Sequence, residues 1–383
     1  MRVQLMAAPN EKLSPGQALM LAALALPGLD AAAQTLPEYS EISVGYLYYK
    51  DEQPSLDRVS VRSPSLRLMV PVAGEWLLEG GAVSDHLSGA TPRYHTALSG
   101  ASRMEEKRNA GDVRVTRYFN NATLGVGHTT SVENDYRSHA WSVSGSWSTE
   151  DRNTTAGLSL GVSNDRIDPV NLLVRNERRH STEAMLSLEQ VLGKRDVMKA
   201  DYTHVRGRGY YSDPYKLLDN RPRERDSDSL LLRWNHALER GPTIRSGYRY
   251  YRDSYGIRAH TLSLEIEHPM QHGWSWTPNL RYYTQSAADF YFDPVYDPRF
   301  GPPFPLGFVI GSTGFTSADQ RLSGFGAVTA GLRVAKQFGQ GWSAWLKGEK
   351  YRQRGSWRAF GSGSPGLERF DAQLWQLGVS KQW

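Results

Sequence analysis

Two short strings raise the question of chemistry first: Ser88-Gly89-Ala90-Thr91 and, a few residues on, Ser99-Gly100-Ala101-Ser102. Each frames its hydroxyls with the two smallest residues. Such a string either turns the chain or leaves the backbone open to close approach by another molecule. Which role applies depends on the elements that hold it.

No other group of residues suggests catalysis. The histidines, at 86, 95, 128, 139, 180, 204, 236, 260, 268 and 272, are scattered singly along the chain. A nucleophile needs a base and the base an orienting partner, and no catalytic set is expected. No metal site is expected either, although His86 and His95 lie close in sequence. There is no cysteine, which excludes a disulfide scaffold, a lipoprotein and a thiolate-ligated metal or haem centre.

The N-terminus reads as an export signal over residues 1–33. Arg2 and Lys12 precede the apolar run 18–29, and the small residues 31–33 offer a cleavage site. That run is too short to cross a bilayer as a helix. Removing the segment takes two basic and two acidic residues, so residues 34–383 keep the formal charge of +5. An exported chain with so modest a charge gives no reason to expect nucleic acid as a partner.

The rest of the chain alternates with period two. In 42–50, Ile42, Val44, Tyr46 and Tyr48 share one face; in 260–268, Leu262, Leu264 and Ile266 oppose Ser263, Glu265 and Glu267. A helix would spread these charges over every face, whereas a strand sorts them onto one. Mean hydropathy is −0.54, as expected where lipid-facing and water-facing residues alternate. The pattern predicts sixteen strands at 40–50, 57–71, 74–87, 111–119, 122–134, 136–148, 153–164, 180–192, 196–207, 228–239, 242–252, 256–269, 273–285, 319–338, 341–353 and 370–383. Tight turns alternate with long connections around 88–110, 165–179, 208–227, 286–318 and 354–369. The predicted fold is all-β: a transmembrane antiparallel barrel with short periplasmic turns and long extracellular loops in the bacterial outer membrane.

On this map the inward-facing charges are Arg245, Arg249, Arg333, Glu189, Glu265, Glu267, Lys347 and Glu349. They would line a selective pore or fill a stiffened barrel. The Pro- and aromatic-rich stretch 289–311 is expected to plug or constrict the lumen, with a partner surface as the alternative. Trp76, Tyr118, Trp147, Trp234, Trp274, Trp276, Phe338 and Trp342 lie beside the tight turns, where an interfacial girdle belongs.

The final stretch 375–383 places Trp375, Leu377, Val379 and Trp383 on one face. It resembles the C-terminal signal read by the machinery that inserts outer-membrane barrels, although Lys381 stands where an apolar residue is usual. The first string, extended to Asp85-His86-Leu87-Ser88-Gly89-Ala90-Thr91, resembles the target of periplasmic flavin transferases. That resemblance implies FMN as a phosphoester on Thr91. Ser102, in the second string, has Thr96 where the aspartate would stand and is the poorer acceptor. Taken whole, with 111–119, 133–138 and 165–171, the mature chain resembles a domain-of-unknown-function family of bacterial outer-membrane β-barrel proteins, encoded near flavin transferases and thioredoxin-like proteins. The expected role is a conduit or scaffold and not an enzyme, carrying covalent FMN for extracytosolic electron transfer. Its partners would be outer-membrane lipid, the insertion machinery, a flavin transferase and redox proteins. A passive porin or small-solute transporter is the first alternative, and a surface receptor acting through 208–227 and 286–318 the second.

Overall fold

The computed structural model describes residues 35–54, 56–89, 104–216, 218–239, 241–293, 295, 297–301, 304–312 and 314–383. The expected signal segment, Ala90 and the expected FMN acceptors Thr91 and Ser102 lie outside them. Sixteen antiparallel strands close into one barrel. They are β1 Glu41–Gln53, β2 Leu56–Val72, β3 Trp76–Gly89, β4 Met104–Tyr118, β5 Ala122–Val132, β6 Tyr136–Ser148, β7 Thr154–Ile167 and β8 Glu177–Val191, then β9 Asp196–Gly209, β10 Glu224–Ala237, β11 Thr243–Asp253, β12 Arg258–Pro269, β13 Trp274–Gln285, β14 Phe325–Gln337, β15 Trp342–Arg354 and β16 Phe370–Gln382. Each pairs with its neighbours in sequence, and β1 pairs with β16 from Glu41↔Gln382 to Glu52↔Asp371. Ser40 and Trp383 exchange backbone hydrogen bonds at the foot of that seam.

Strand spacing and tilt make a sixteen-strand barrel roughly 30 Å across, measured between backbones. The apolar surface is on the outside. Val113, Trp141 and Leu186 are all more than half exposed, which in water would be a defect and in hydrocarbon is the seat of stability. The alternate positions point into the lumen and are mostly Ser, Thr, Gly and paired charges. The start of β1, the end of β16 and the tight turns lie at one end, the long loops at the other.

The turns follow local chemistry. Gln340 and Gly341 both have positive φ, and a Cβ on Gly341 would meet the Gln382 carbonyl oxygen at 2.4 Å, so only glycine fits there. Seven of the eight expected girdle aromatics face outward beside these turns. Tyr118 does not. It lies on the lumen face with Glu79 and Arg114, and exposed Phe119 takes the girdle place beside Arg117, 4.9 Å from its ring. Lys381 is accommodated by lying over the Trp342 ring at 5.6 Å while donating to the Gln340 carbonyl, the snorkelling of a long cation to the interface.

Two strand boundaries differ from the pattern by more than four residues. β4 begins at Met104 instead of 111, because its charged start pairs with β3 through Asp85↔Arg108. β14 begins at Phe325 instead of 319; residues 320–322 form a 3-10 turn capped by the Asp319 carboxylate, which accepts from the Arg321 amide.

Candidate functional site: the lumen and its outer mouth

The lumen has two unlike walls. Along β5–β7 its residues are short: Thr123 and Ser146 share a 2.7 Å hydrogen bond, Ser148 and Thr155 one of 3.2 Å. The Arg114 side chain lies across Gly125 and Gly127 and donates to Ser144 Oγ at 2.9 Å. Along β8–β12 and β14–β15 the residues are long and charged. Arg233 binds Asp201 at 2.6 Å, with Lys199 at 3.8 Å.

The structure places all six principal charge candidates on the lumen face, spread over two groups. In one, Arg245 pairs with Glu267 and stands opposite Glu265 on the neighbouring strand, while Arg249 lies within the field of Glu183. In the other, Lys347 binds Glu349 at 2.9 Å, and Arg333 stacks on Trp345 at 5.0 Å. The charges therefore hold one another along the wall and converge on no single point. Glu183, Asp201 and Arg233 escaped the sequence reading, although alternation from Leu186, Tyr202 and Leu232 on their respective strands would have placed them inward.

The outer mouth is more tightly built. Segment 317–323 leaves the wall between β13 and β14 and is buried: Ser317, Asp319 and Ser323 are at most 1% exposed. On one side, Asp319 binds Lys216, Arg321 and, at 2.6 Å, Arg221; Lys216 and Arg221 belong to the β9–β10 connection. A two-residue ladder, Asp219–Asn220 with Thr316–Ser317, fastens the same side. On the other side, Gln320 accepts from Gln53 of β1 at 3.4 Å. The Gln285 amide donates to the carbonyls of Arg321 and Ser323 at 2.9 and 2.7 Å. Leu322 packs with Tyr255, Ile257 and Ala288. Because β9–β10 and β1 lie on different sides of the β13–β14 connection, this segment is a strap across the mouth.

Three carboxylates, Asp213, Asp219 and Asp319, meet three cations, Lys216, Arg221 and Arg321. Burial pushes the Asp213 carboxyl up, but Lys216 and Arg321 outweigh it and hold it at about 2. The Asp319 carboxyl is likewise raised by burial and carried well below the ordinary value by Arg321, Lys216 and Arg221. Beside the strap, Asp165 binds Arg179 at 2.8 Å and Asp253 binds Arg225 at 2.7 Å. The anchoring residues come from 316–323. In the stretch 289–311, Phe290 and Tyr291 pack against the Leu322 cluster and Phe290 and Phe292 exchange backbone hydrogen bonds with Ser317, while Leu306, Val309 and Ile310 are exposed. The constricting element therefore takes in only the start of the stretch expected from sequence and extends C-terminal to it.

The small-residue string begins inside the wall. Asp85 faces the lumen, 8% exposed, and binds Arg108 with contacts of 2.5 and 2.6 Å. Ser88 and Gly89 are paired in the sheet with Glu105 and Met104. In the folded barrel this half of the string is held as strand and is not free for an enzyme to grip. The outward side of β3 carries a grouping that sequence reasoning passed over, although the alternation Ser84-x-His86 displays it. Ser84 Oγ is 3.4 Å from His86 Nε2 but donates to Asn109 Oδ1 at 2.8 Å, so the hydroxyl proton is turned away from the base. No group of three potential ligands is placed to hold a metal ion among the described residues.

A family model described as a protein of unknown function, DUF3570, matches residues 16–105 and 100–373. The chain belongs to that family. No curated protein matches this DUF3570 barrel. Among solved structures it is similar to a bacterial polysaccharide outer membrane secretin, with TM-score 0.52, 8% identity and coverage of 91% of this chain and 99% of that one. It is also similar to CdiB from Acinetobacter baumannii, with TM-score 0.51, 9% identity and coverage of 88% and 60%. At these identities the likeness is one of fold. With the closed barrel and its apolar outer face, it makes the DUF3570 chain an integral outer-membrane protein.

Proposed function

We propose that this DUF3570 barrel is a gated conduit for small polar solutes and not a catalyst. The observation that carries the reading is the strap 317–323, which crosses the outer mouth of a hydroxyl- and charge-lined lumen. A barrel filled only for rigidity would need no such strap. A permanently open pore would not tie one across its mouth with buried ion pairs. The walls carry charges of both signs in pairs, which favours solutes that are polar and nearly neutral overall. The test is solute uptake: vesicles containing the barrel should swell in sugars or zwitterionic amino acids faster than empty vesicles, and far faster once residues 316–323 are replaced by a short Gly-Ser linker. Equal swelling of linker-replaced and empty vesicles, with the barrel shown folded by its heat-shifted gel mobility, would refute the conduit.

A second reading, covalent FMN on Thr91 in the service of electron transfer, is supported by the Asp85–Thr91 string and its partial repeat. Since Asp85, Ser88 and Gly89 are built into the wall, this reading requires attachment before the barrel closes. Flavin fluorescence surviving denaturing electrophoresis after co-expression with a transferase, and lost in Thr91→Ala, is its expected signature. A dark band at the unmodified mass would dismiss it.

A further inference from the structure

The outer wall at the long-loop end holds a cleft of about 750 Å³, formed by the ends of β11–β13 and the β15–β16 connection. It lies outside the lumen. Tyr250, Arg252, Arg258 and His260 occupy the strand positions that face away from it, in phase with Leu262, Leu264 and Ile266 of the apolar band. Residues 355–361 bend outward to close the cleft from one side. The Tyr282 hydroxyl donates to the Trp357 carbonyl at 2.6 Å, and Thr284 Oγ1 accepts from the Ala359 amide at 3.0 Å. The approach is so close that a Cβ on Gly326 would stand 1.9 Å from the Trp357 oxygen.

Three arginines line this cleft. Arg252 is partnered by Asp228 at 3.1 Å. The Arg258 guanidinium makes no hydrogen bond or ion pair among the described residues. Arg358 donates to the Ser362 carbonyl, yet its Nε is buried with no partner among the described residues. His260 Nδ1 is engaged by the Tyr248 hydroxyl at 2.8 Å. On the acidic side Asp253 is already bound to Arg225, leaving Asp289 as the lining carboxylate without a salt bridge among the described residues. At the lip, Phe360 is 80% exposed with its ring 5.0 Å from that of His260.

We infer that this cleft binds the phosphate-bearing headgroup of an outer-leaflet lipid. Guanidinium groups take phosphate through charge-assisted hydrogen bonds, paired where the fork is free. Arg258 offers its whole fork, and Arg358, with Nη1 given to Ser362 and Nε buried, offers Nη2. The height is also right. The cleft opens directly above Leu262, Leu280 and the tyrosines Tyr248 and Tyr282, where hydrocarbon gives way to headgroups. Its volume exceeds that of a lone phosphate and suits a phosphorylated sugar. Phe360 is placed to enter the same lipid's acyl region.

The test uses the full folded barrel in detergent, titrated with bisphosphorylated lipid A and followed by native mass spectrometry. Dephosphorylated lipid A and inorganic phosphate serve as separate probes. One lipid A should bind and resist delipidation. Arg258→Ala with Arg358→Ala should weaken it by roughly ten-fold for each arginine lost. Arg206→Ala, on the outer wall beyond the cleft, should leave it unchanged, and heat-shifted gel mobility checks the fold of every variant. Arg358→Lys, which keeps the charge and loses the fork, should be intermediate. Equal binding of dephosphorylated lipid A would overturn the proposal in favour of a plain acyl shell. Inorganic phosphate binding at the arginines without lipid A retention would assign the site to a soluble anion and overturn the lipid.

Discussion

Asp319→Ala tests the strap at its hub. The carboxylate is 1% exposed and answers Lys216, Arg221 and Arg321 together. Its removal leaves three buried cations facing Asp213 and Asp219 alone, an excess of one positive charge. Breaking a buried ion pair from one side costs about 3–5 kcal/mol. In the closed strap that cost is borne in full; once the strap swings out, water takes it over. The open population should therefore rise roughly a hundred- to several-thousand-fold. Planar-bilayer recordings read this directly: a wild-type barrel that is mostly silent becomes one with long openings, and Asp319→Asn should fall between. The barrel itself should hold, because no ladder hydrogen bond of β13 or β14 is touched. If Asp319→Ala is folded by gel mobility and circular dichroism yet as silent as the wild type, the strap is not the gate.

Acid should act on the same hub. The Asp213 carboxyl sits at about 2 and that of Asp319 is held well below its ordinary value by Arg321, Lys216 and Arg221, both below the value near 3.9 of a freed strap. Their contribution is complete above about pH 4 and lost as pH falls towards 2. Conductance should rise over that window when the loop side is acidified, and acidification of the turn side alone should do nothing. Leu264→Arg, midway along the lipid face of β12, should destabilise the barrel by about 2–4 kcal/mol, measured by urea unfolding from vesicles. The opposite substitution, lumen-facing Ser263→Ala, should change stability little in the same assay. Gly326→Ala should expel the β15–β16 connection from the outer wall, read as new protease cleavage within 355–361 with gel mobility intact.

Most of the fold was legible because a barrel writes itself in alternation. Each strand lies between lipid and water, and Ile244-Arg245-Ser246 or Leu264-Glu265-Ile266 can satisfy both only as extended chain. The departures occur where that constraint lapses. Tyr118 neighbours a tight turn as the girdle aromatics do, and only the phase set by Val113 and Val115 turns it inward. Residues 319–324 look extended in sequence, but above the membrane they answer to Lys216, Arg221 and Gln53, contacts made across roughly a hundred residues or more that no local pattern encodes. The outer cleft was invisible for the same reason. Arg258 and His260 read as the start of a strand, and Arg358 belongs to a loop whose fold-back depends on the bare Cα of Gly326. Of the small-residue strings, sequence supplied the expectation of an acceptor at Thr91, which lies outside the described residues, while the capture of Asp85 by Arg108 needed the register of β3 against β4.

The seam between β1 and β16 sets the order in which such a molecule comes into being. Its partners, such as Ile42 with Lys381 and Val44 with Val379, are separated by nearly the whole sequence, the most expensive kind of loop to close. Until they meet, the nascent sheet has two raw edges, each a row of unpaired amides and carbonyls that invites a stranger's strand. Fourteen other strands, once aligned, convert that encounter from a search into a final zippering. Weakening the seam should therefore spare the finished barrel more than it spares the yield, with misassembly rising before stability falls.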